Sequence, residues 1–213
     1  MIKNIIFDFD GTLVDSSYAV EKLFQYFKQK YKKTYMDREQ FRKINALPLM
    51  QKIKKMGVPL YKLPVISLEA KRVYFSYIGK IKIIEGIPDL LAKLVQSGLD
   101  LSIISSNSVR NINHFLDINK INCFSDIYSA PNMLKKNEDI IKLLKKKKLA
   151  KENILYIGDE LHDIVACKRI PVKVAAVTWG LGSIDILKGG KPDCICSTPM
   201  DIYDYIFIPE LDS

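Results

Sequence analysis

An α/β fold, a parallel sheet interrupted by a small helical insert, is predicted by three observations. Short apolar runs that end in polar residues recur along the chain: Ile2 to Ile6, Leu99 to Ile104, Ile154 to Gly158 and Val172 to Val177. Stretches of helical spacing lie between them, and that alternation implies a parallel sheet covered on both faces. Residues 16–80 form a separate block of helical periodicity, so the expected organisation is a Rossmann-like core of residues 1–15 and 81–213 with a helical domain inserted at 16–80. At 213 residues and 48% hydrophobic composition, the chain can bury one good core and a small second one.

Taken in order, the first strand ends in Phe7-Asp8-Phe9-Asp10-Gly11-Thr12. Asp8 and Asp10 project from the same face of an extended strand. They stand at its carboxyl end, where open α/β sheets bind ligands. Two buried acids beside Phe7 and Phe9 are costly unless paired or metal-bound. Their spacing lets one attack a phosphorus atom while the other gives or takes a proton. In the insert, Val20, Leu23, Phe24 and Phe27 fall at i, i+3, i+4 and i+7 of a helix. Leu47-Pro48, Val58-Pro59 and Leu63-Pro64 are expected to break helices before a further helical stretch near Leu68 to Ile78.

The sheet pattern resumes at Ile81. Gly86 and Pro88 open a helix through Leu90, Leu91 and Leu94, and Gly98 ends it. The strand from Leu99 ends in Ser105-Ser106-Asn107, small polar groups that either bind a phosphoryl oxygen or cap the next helix. Lys135-Lys136 precede a helical pattern through Glu138, Ile141 and Leu144, and the strand at Ile154 ends in Gly158-Asp159-Glu160-Leu161-His162-Asp163. Further strands are expected near Ile127-Tyr128, Val172 to Val177 and Cys194 to Cys196.

These four segments, in this order, resemble the motifs of the haloacid-dehalogenase-like phosphohydrolases, and the resemblance spans nearly the whole chain. Asp8, Asp10, Gly11 and Thr12 match the first motif, D-x-D-G-T; Asp159 and Asp163 match the fourth, G-D-x-x-x-D. Ser106, followed by Asn107, aligns best with the second motif, with Ser105 one residue away. Lys136 is favoured over Lys135 for the third. The resemblance implies a nucleophile at Asp8, an acid and base at Asp10, and phosphoryl contacts from Gly11, Thr12, Ser106 and Asn107. It further implies an anchoring cation at Lys136 and a Mg²⁺ held by Asp8, the Asp10 carbonyl and Asp159, with Asp163 supporting. Mg²⁺ suits such a set because it prefers about six oxygens and keeps several waters. Glu160 is expected to be solvated, and His162 and His114 to stand outside the chemistry.

Energetics favour a constellation. Phosphate-monoester hydrolysis is accelerated by up to about 10²¹-fold, roughly 28 kcal/mol, whereas one general acid supplies only about 10²- to 10⁴-fold. The implied activity is a phosphatase acting on a small phosphorylated metabolite, closest to the phosphoglycolate-phosphatase branch, with residues 16–80 as its helical cap. Lys168-Arg169-Ile170-Pro171 departs from the Ala-Gly turn common there. Asp10 argues against dehalogenation. A sugar phosphomutase and a non-catalytic regulatory protein are the rival readings.

The net charge of +9 is concentrated: residues 16–80 hold 15 Lys/Arg against 4 Asp/Glu, leaving 18 against 20 elsewhere. That excess either draws small anions toward an acidic cleft or is the solvated face of a Lys-rich chain; Arg42 and Lys43 are the substrate contacts to test. No nucleic-acid-binding signature accompanies the charge. Cys123, Cys167, Cys194 and Cys196 fit a reducing compartment. No apolar run is long enough to span a membrane, and a strand starting at residue 2 leaves no room for a signal peptide. A cytoplasmic location is therefore expected. Oligomeric state is not legible.

Overall fold

The computed structural model describes residues 1–31, 61, 63–132 and 135–208. Arg42, Lys43, Leu47-Pro48 and Val58-Pro59 lie outside the described residues.

Six parallel strands form the sheet, in the order β5-β4-β1-β6-β7-β8. They are β1 (Asn4–Phe7), β4 (Asp100–Ser105), β5 (Phe124–Ser129), β6 (Ile154–Gly158), β7 (Lys173–Val177) and β8 (Cys194–Cys196). β1 is central, pairing Asn4 to Phe7 with Asp100 to Ile103 on one side and with Ile154 to Ile157 on the other. The chain builds outward to β5, then crosses β1 to β6. That reversal beside β1 is the topological switch point at which open α/β sheets bind ligands.

Alternation along the strands sorts side chains into two apolar layers. Ile5, Phe7, Leu101, Ile103, Leu155 and Ile157 face one, and Ile6, Ile104, Tyr156 and Val174 the other. The first layer is covered by α3 (Ile87–Gln96), α4 (Val109–Ile118) and α8 (Pro199–Phe207), through residues such as Leu90, Phe115 and Ile202. The second is covered by α5 (Lys136–Lys147), α6 (Leu161–Lys168) and α7 (Ile184–Gly189), through Ile140, Ile164 and Leu187. The α/β fold expected from the alternation is the fold found.

Among the described residues of the segment 16–80 lie two helices, α1 (Ser17–Tyr31) and α2 (Leu63–Ser76). Pro64 was expected to break a helix, yet it falls in the first turn of α2. Proline is compatible with a helix start because the first N–H groups have no intrahelical acceptor. The chain leaves the core through β2 (Val14–Asp15) and returns through β3 (Lys82–Ile83), which pair antiparallel as Val14 with Ile83 and Asp15 with Lys82. This short ribbon was not anticipated, since two-residue strands carry no periodicity. Among the described residues no helix is long and apolar enough to cross a membrane.

Candidate active site

The carboxyl ends of β1, β4 and β6 bring Asp8, Asp10, Ser106, Asn107, Asp159 and Asp163 to one end of the sheet, and the start of α5 adds Lys136. Of the two neighbouring lysines, Lys136 is the one whose side chain enters this cluster. Its side chain is fully buried, and its Nζ donates to Asp8 Oδ2 at 2.9 Å and to Asp163 Oδ1 at 2.6 Å. Lys135 is exposed and pairs with Glu138 instead. Burial alone would push the Lys136 ammonium down, but the charges of Asp163 and Asp8 outweigh it and hold the group above its usual value.

The two acids of the first motif occupy different surroundings. Asp8 Oδ1 accepts the Phe9 N–H at 2.7 Å while its other oxygen faces Lys136. Asp10 accepts neutral donors: the Tyr74 hydroxyl at 2.5 Å on Oδ1 and the Asn107 amide at 2.9 Å on Oδ2. Burial raises both carboxyls, against Lys136 at Asp8 and against those two donors at Asp10. Tyr74 was missed by the sequence reading, and only the folded arrangement of α2 against the sheet brings it there.

Asp159 is fully buried and accepts from uncharged donors, Thr12 Oγ1 at 3.1 Å and the Leu181 N–H at 2.7 Å. Burial, then the charges of Glu160 and Asp8, push its carboxyl well up. Glycine encloses it on three sides. A Cβ would stand 2.2 Å from Asp159 Oδ2 at position 11, 2.3 Å at position 180, and 2.0 Å from the Asp159 carbonyl at position 182. Gly11 is further fixed by a left-handed φ of 78°. A buried, crowded carboxylate bonded by neutral donors fits a divalent cation, which removes the cost that burial imposes. Among the described residues, Asp8, His162 and Asp163 have ligand atoms within 4.8 Å of one another. The Lys136 ammonium already bonds both of those acids, so a cation is in place there.

Several expected roles shift with the geometry. Thr12, expected to touch substrate, spends its hydroxyl on Asp159 and its carbonyl on the Trp179 indole N–H at 3.1 Å. Asn107 likewise holds Asp10 with its amide. Ser105 is fully buried, its Oγ accepting the Asn107 N–H at 3.3 Å, whereas Ser106 is half-buried just past the end of β4. Glu160 is not merely solvated: it caps α6 and forms a reciprocal capping box with Asp163. His162 is drawn in with it, Nδ1 3.3 Å from Glu160 and Nε2 3.5 Å from Asp163. Its place in the first turn of a helix that starts at the fourth motif was the available signal. His114 stacks on Phe75 of α2, with ring centroids 5.0 Å apart.

With this geometry in view, a profile of the haloacid dehalogenase-like hydrolases matches residues 5–177. The chain belongs to that family. It is 28% identical over 199 residues to the phosphoglycolate phosphatase of Synechococcus elongatus, covering 93% of this chain and 94% of that protein. It is 26% identical over 205 residues to the pyrophosphatase PpaX of Oceanobacillus iheyensis, covering 94% and 95%. Among solved structures, a haloacid dehalogenase-like hydrolase from Streptococcus pneumoniae superposes with a TM-score of 0.81 at 28% identity, covering 96% of this chain and 98% of that one. Family and relatives together put this hydrolase among the family's phosphatases.

Proposed function

We propose that this chain is a Mg²⁺-dependent phosphatase that hydrolyses a small phosphorylated metabolite through a covalent aspartyl phosphate on Asp8. The observation that carries this reading is the division between two carboxylates two positions apart. Asp8 is held by a buried ammonium, which favours the ionised nucleophile. Asp10 sits partly buried among neutral donors, which suits a group that carries a proton.

In the first half-reaction an Asp8 oxygen attacks phosphorus and the bond to the leaving oxygen breaks. That oxygen keeps the electron pair and takes a proton from Asp10. In the second, Asp10, now a carboxylate, takes a proton from water. The water oxygen attacks the phosphorus, releasing inorganic phosphate and restoring Asp8. Lys136 holds Asp8 in line and offsets charge gathering on the phosphoryl oxygens. Ser106 is the hydroxyl we assign to those oxygens, because Ser105 is committed beneath the loop. Asp163 keeps Lys136 in place, and Tyr156, whose hydroxyl stands 3.2 Å from Asp163, backs it. Asp8, Asp159 and the Asp10 carbonyl would hold Mg²⁺, which would supply positive charge to offset that gathering on the phosphoryl oxygens.

Residues 16–80 are proposed as a cap that selects the substrate, with phosphoglycolate-like acids and sugar phosphates the first classes to try. The relatives named for phosphoglycolate and pyrophosphate hydrolysis support small, strongly anionic substrates. Phosphate release from such a panel, with and without Mg²⁺, tests the reading against Asp8→Asn. Release that needs Mg²⁺ and falls to background in Asp8→Asn is expected; turnover surviving that substitution would overturn the nucleophile.

A further inference from the structure

We propose that Tyr74 is a positioning residue for proton transfer, holding the oxygen of Asp10 that carries the proton and tying it to α2 of the insert. This inference rests on the phosphatase reading above. Its starting point is the Asn107 amide, whose orientation is fixed by its partners. Asn107 Oδ1 accepts the Ser108 N–H at 2.8 Å and Asn111 Nδ2 at 2.8 Å, so Nδ2 is the group facing Asp10 Oδ2 at 2.9 Å. An amide nitrogen only donates. Oδ2 of Asp10 must therefore remain an acceptor, and the transferable proton belongs on Oδ1.

Oδ1 is the oxygen that Tyr74 meets, at 2.5 Å. The Tyr74 hydroxyl donates to one lone pair of Oδ1 and leaves the other for the proton, so the contact orients Oδ1 in both protonation states of Asp10 while the proton stays free for the leaving oxygen. One turn earlier on α2, the Lys71 carbonyl accepts a second bond from Asn111 Nδ2 at 3.4 Å. Tyr74, Asp10, Asn107, Asn111 and Lys71 thus form a chain of hydrogen bonds that leaves α2, passes through the acid and returns to α2. The proton donor is oriented from the insert and from the β4–α4 loop together.

Tyr74 also packs in the apolar core, so a loss of rate alone would not separate positioning from packing. Leaving-group dependence does. p-Nitrophenolate departs without being protonated, whereas an alkoxide needs the proton from Asp10. In Tyr74→Phe, kcat/KM is expected to fall about tenfold or more for an alkyl phosphate and less than about threefold for p-nitrophenyl phosphate, part of the ~10²- to 10⁴-fold that a general acid supplies. Because kcat/KM covers only steps through phosphoryl transfer to Asp8, hydrolysis of the intermediate does not blur the comparison. Equal losses on both esters, or none, would overturn the assignment and leave the phosphatase reading standing. A wild-type protein that hydrolyses neither ester with Mg²⁺ would remove that reading and this inference with it. If Tyr74→Phe fails to fold, Asn111→Ser, which touches neither Asp10 nor the phosphoryl site, is expected to show the same ester-selective loss at smaller size. Equal losses there would count against the assignment in the same way.

Discussion

Helix α5 carries a lysine–aspartate cluster at each end, and the two differ in almost every respect except chemistry. At its start, Lys136 is fully buried between Asp8 and Asp163. At its end, Lys147 bridges Asp100 and Asp126, and Lys146, 62% exposed, joins Asp126 at 2.5 Å. The helix dipole opposes Lys136 and favours Lys146 and Lys147, since cations are stabilised near a C-terminus and disfavoured near an N-terminus. A lysine placed against the dipole and out of water is therefore poorly explained as a device for helix stability. Its partners are the proposed nucleophile and the acid proposed to support it, and on that reading the difference separates a cation kept for chemistry from cations that dock α5 onto β4 and β5.

The sharpest way to break this contrast is to remove each lysine. Lys136→Met leaves two acids buried without their cation, a change that costs about 3–5 kcal/mol when one partner of a buried pair is lost. Phosphate release in that variant is expected to fall by at least about 10²-fold, as for loss of one preorganised charge, with a lower denaturant midpoint. Wild-type kcat/KM in Lys136→Met would dissolve the comparison.

Metal comes next in size. Mg²⁺ at about 100 times its dissociation constant adds roughly 2.7 kcal/mol to the folded state, and thermal melts should show that rise in the wild type. Asp159→Asn should abolish most of the rise. A full Mg²⁺ shift in that variant would move the ion elsewhere in the cluster.

The smallest effects belong to the far end of α5. Lys147→Met should cost about 1 kcal/mol or less and leave kcat/KM unchanged. Its signature lies in pH. Burial tends to raise Asp100 and Asp126, but their bonds to Lys147, with Ser125 at Asp100 and Lys146 at Asp126, outweigh it and hold both below the usual carboxylate value. Depressed folded values mean stability that is present above the unfolded value of about 3.9 and lost as pH falls through the folded ones. The gap between wild type and Lys147→Met should therefore close on acidification below pH about 4. Lys136 works in the opposite sense: its raised value gives stability present below about pH 10.4 and lost only above that. A Lys147→Met gap that persists in acid would mean packing of the lysine stem rather than charge.

How much of this could be read from residues alone depended on whether a feature is local. Asp8 and Asp10 announced themselves because strand alternation and a following glycine are written within a few positions. The sheet followed from repeated strand–helix alternation, which short connections enforce. Lys136 is favoured over Lys135 in sequence only by its place just before a helical pattern, and it is the phase of α5 at its first turn that buries one and exposes the other. Tyr74 lies 64 positions from the acid it bonds, in a segment whose own periodicity says only that it is helical. Thr12 matched its motif, but whether its hydroxyl serves substrate or Asp159 is a matter of which atom lies within 3.1 Å.

The β2–β3 ribbon has a consequence for how such a molecule can be altered. Its two strands hold the exit and the return of a long excursion side by side, so closure of that loop is already made by the core. The entropy of closing a loop grows only slowly with its length. On the proposed reading of residues 16–80 as a cap, the part lying between α1 and α2 can change in length and residues at small entropic cost while Ala19, Tyr74 and Ile78 keep their places in the core, so the choice of which molecule is admitted becomes an interchangeable part.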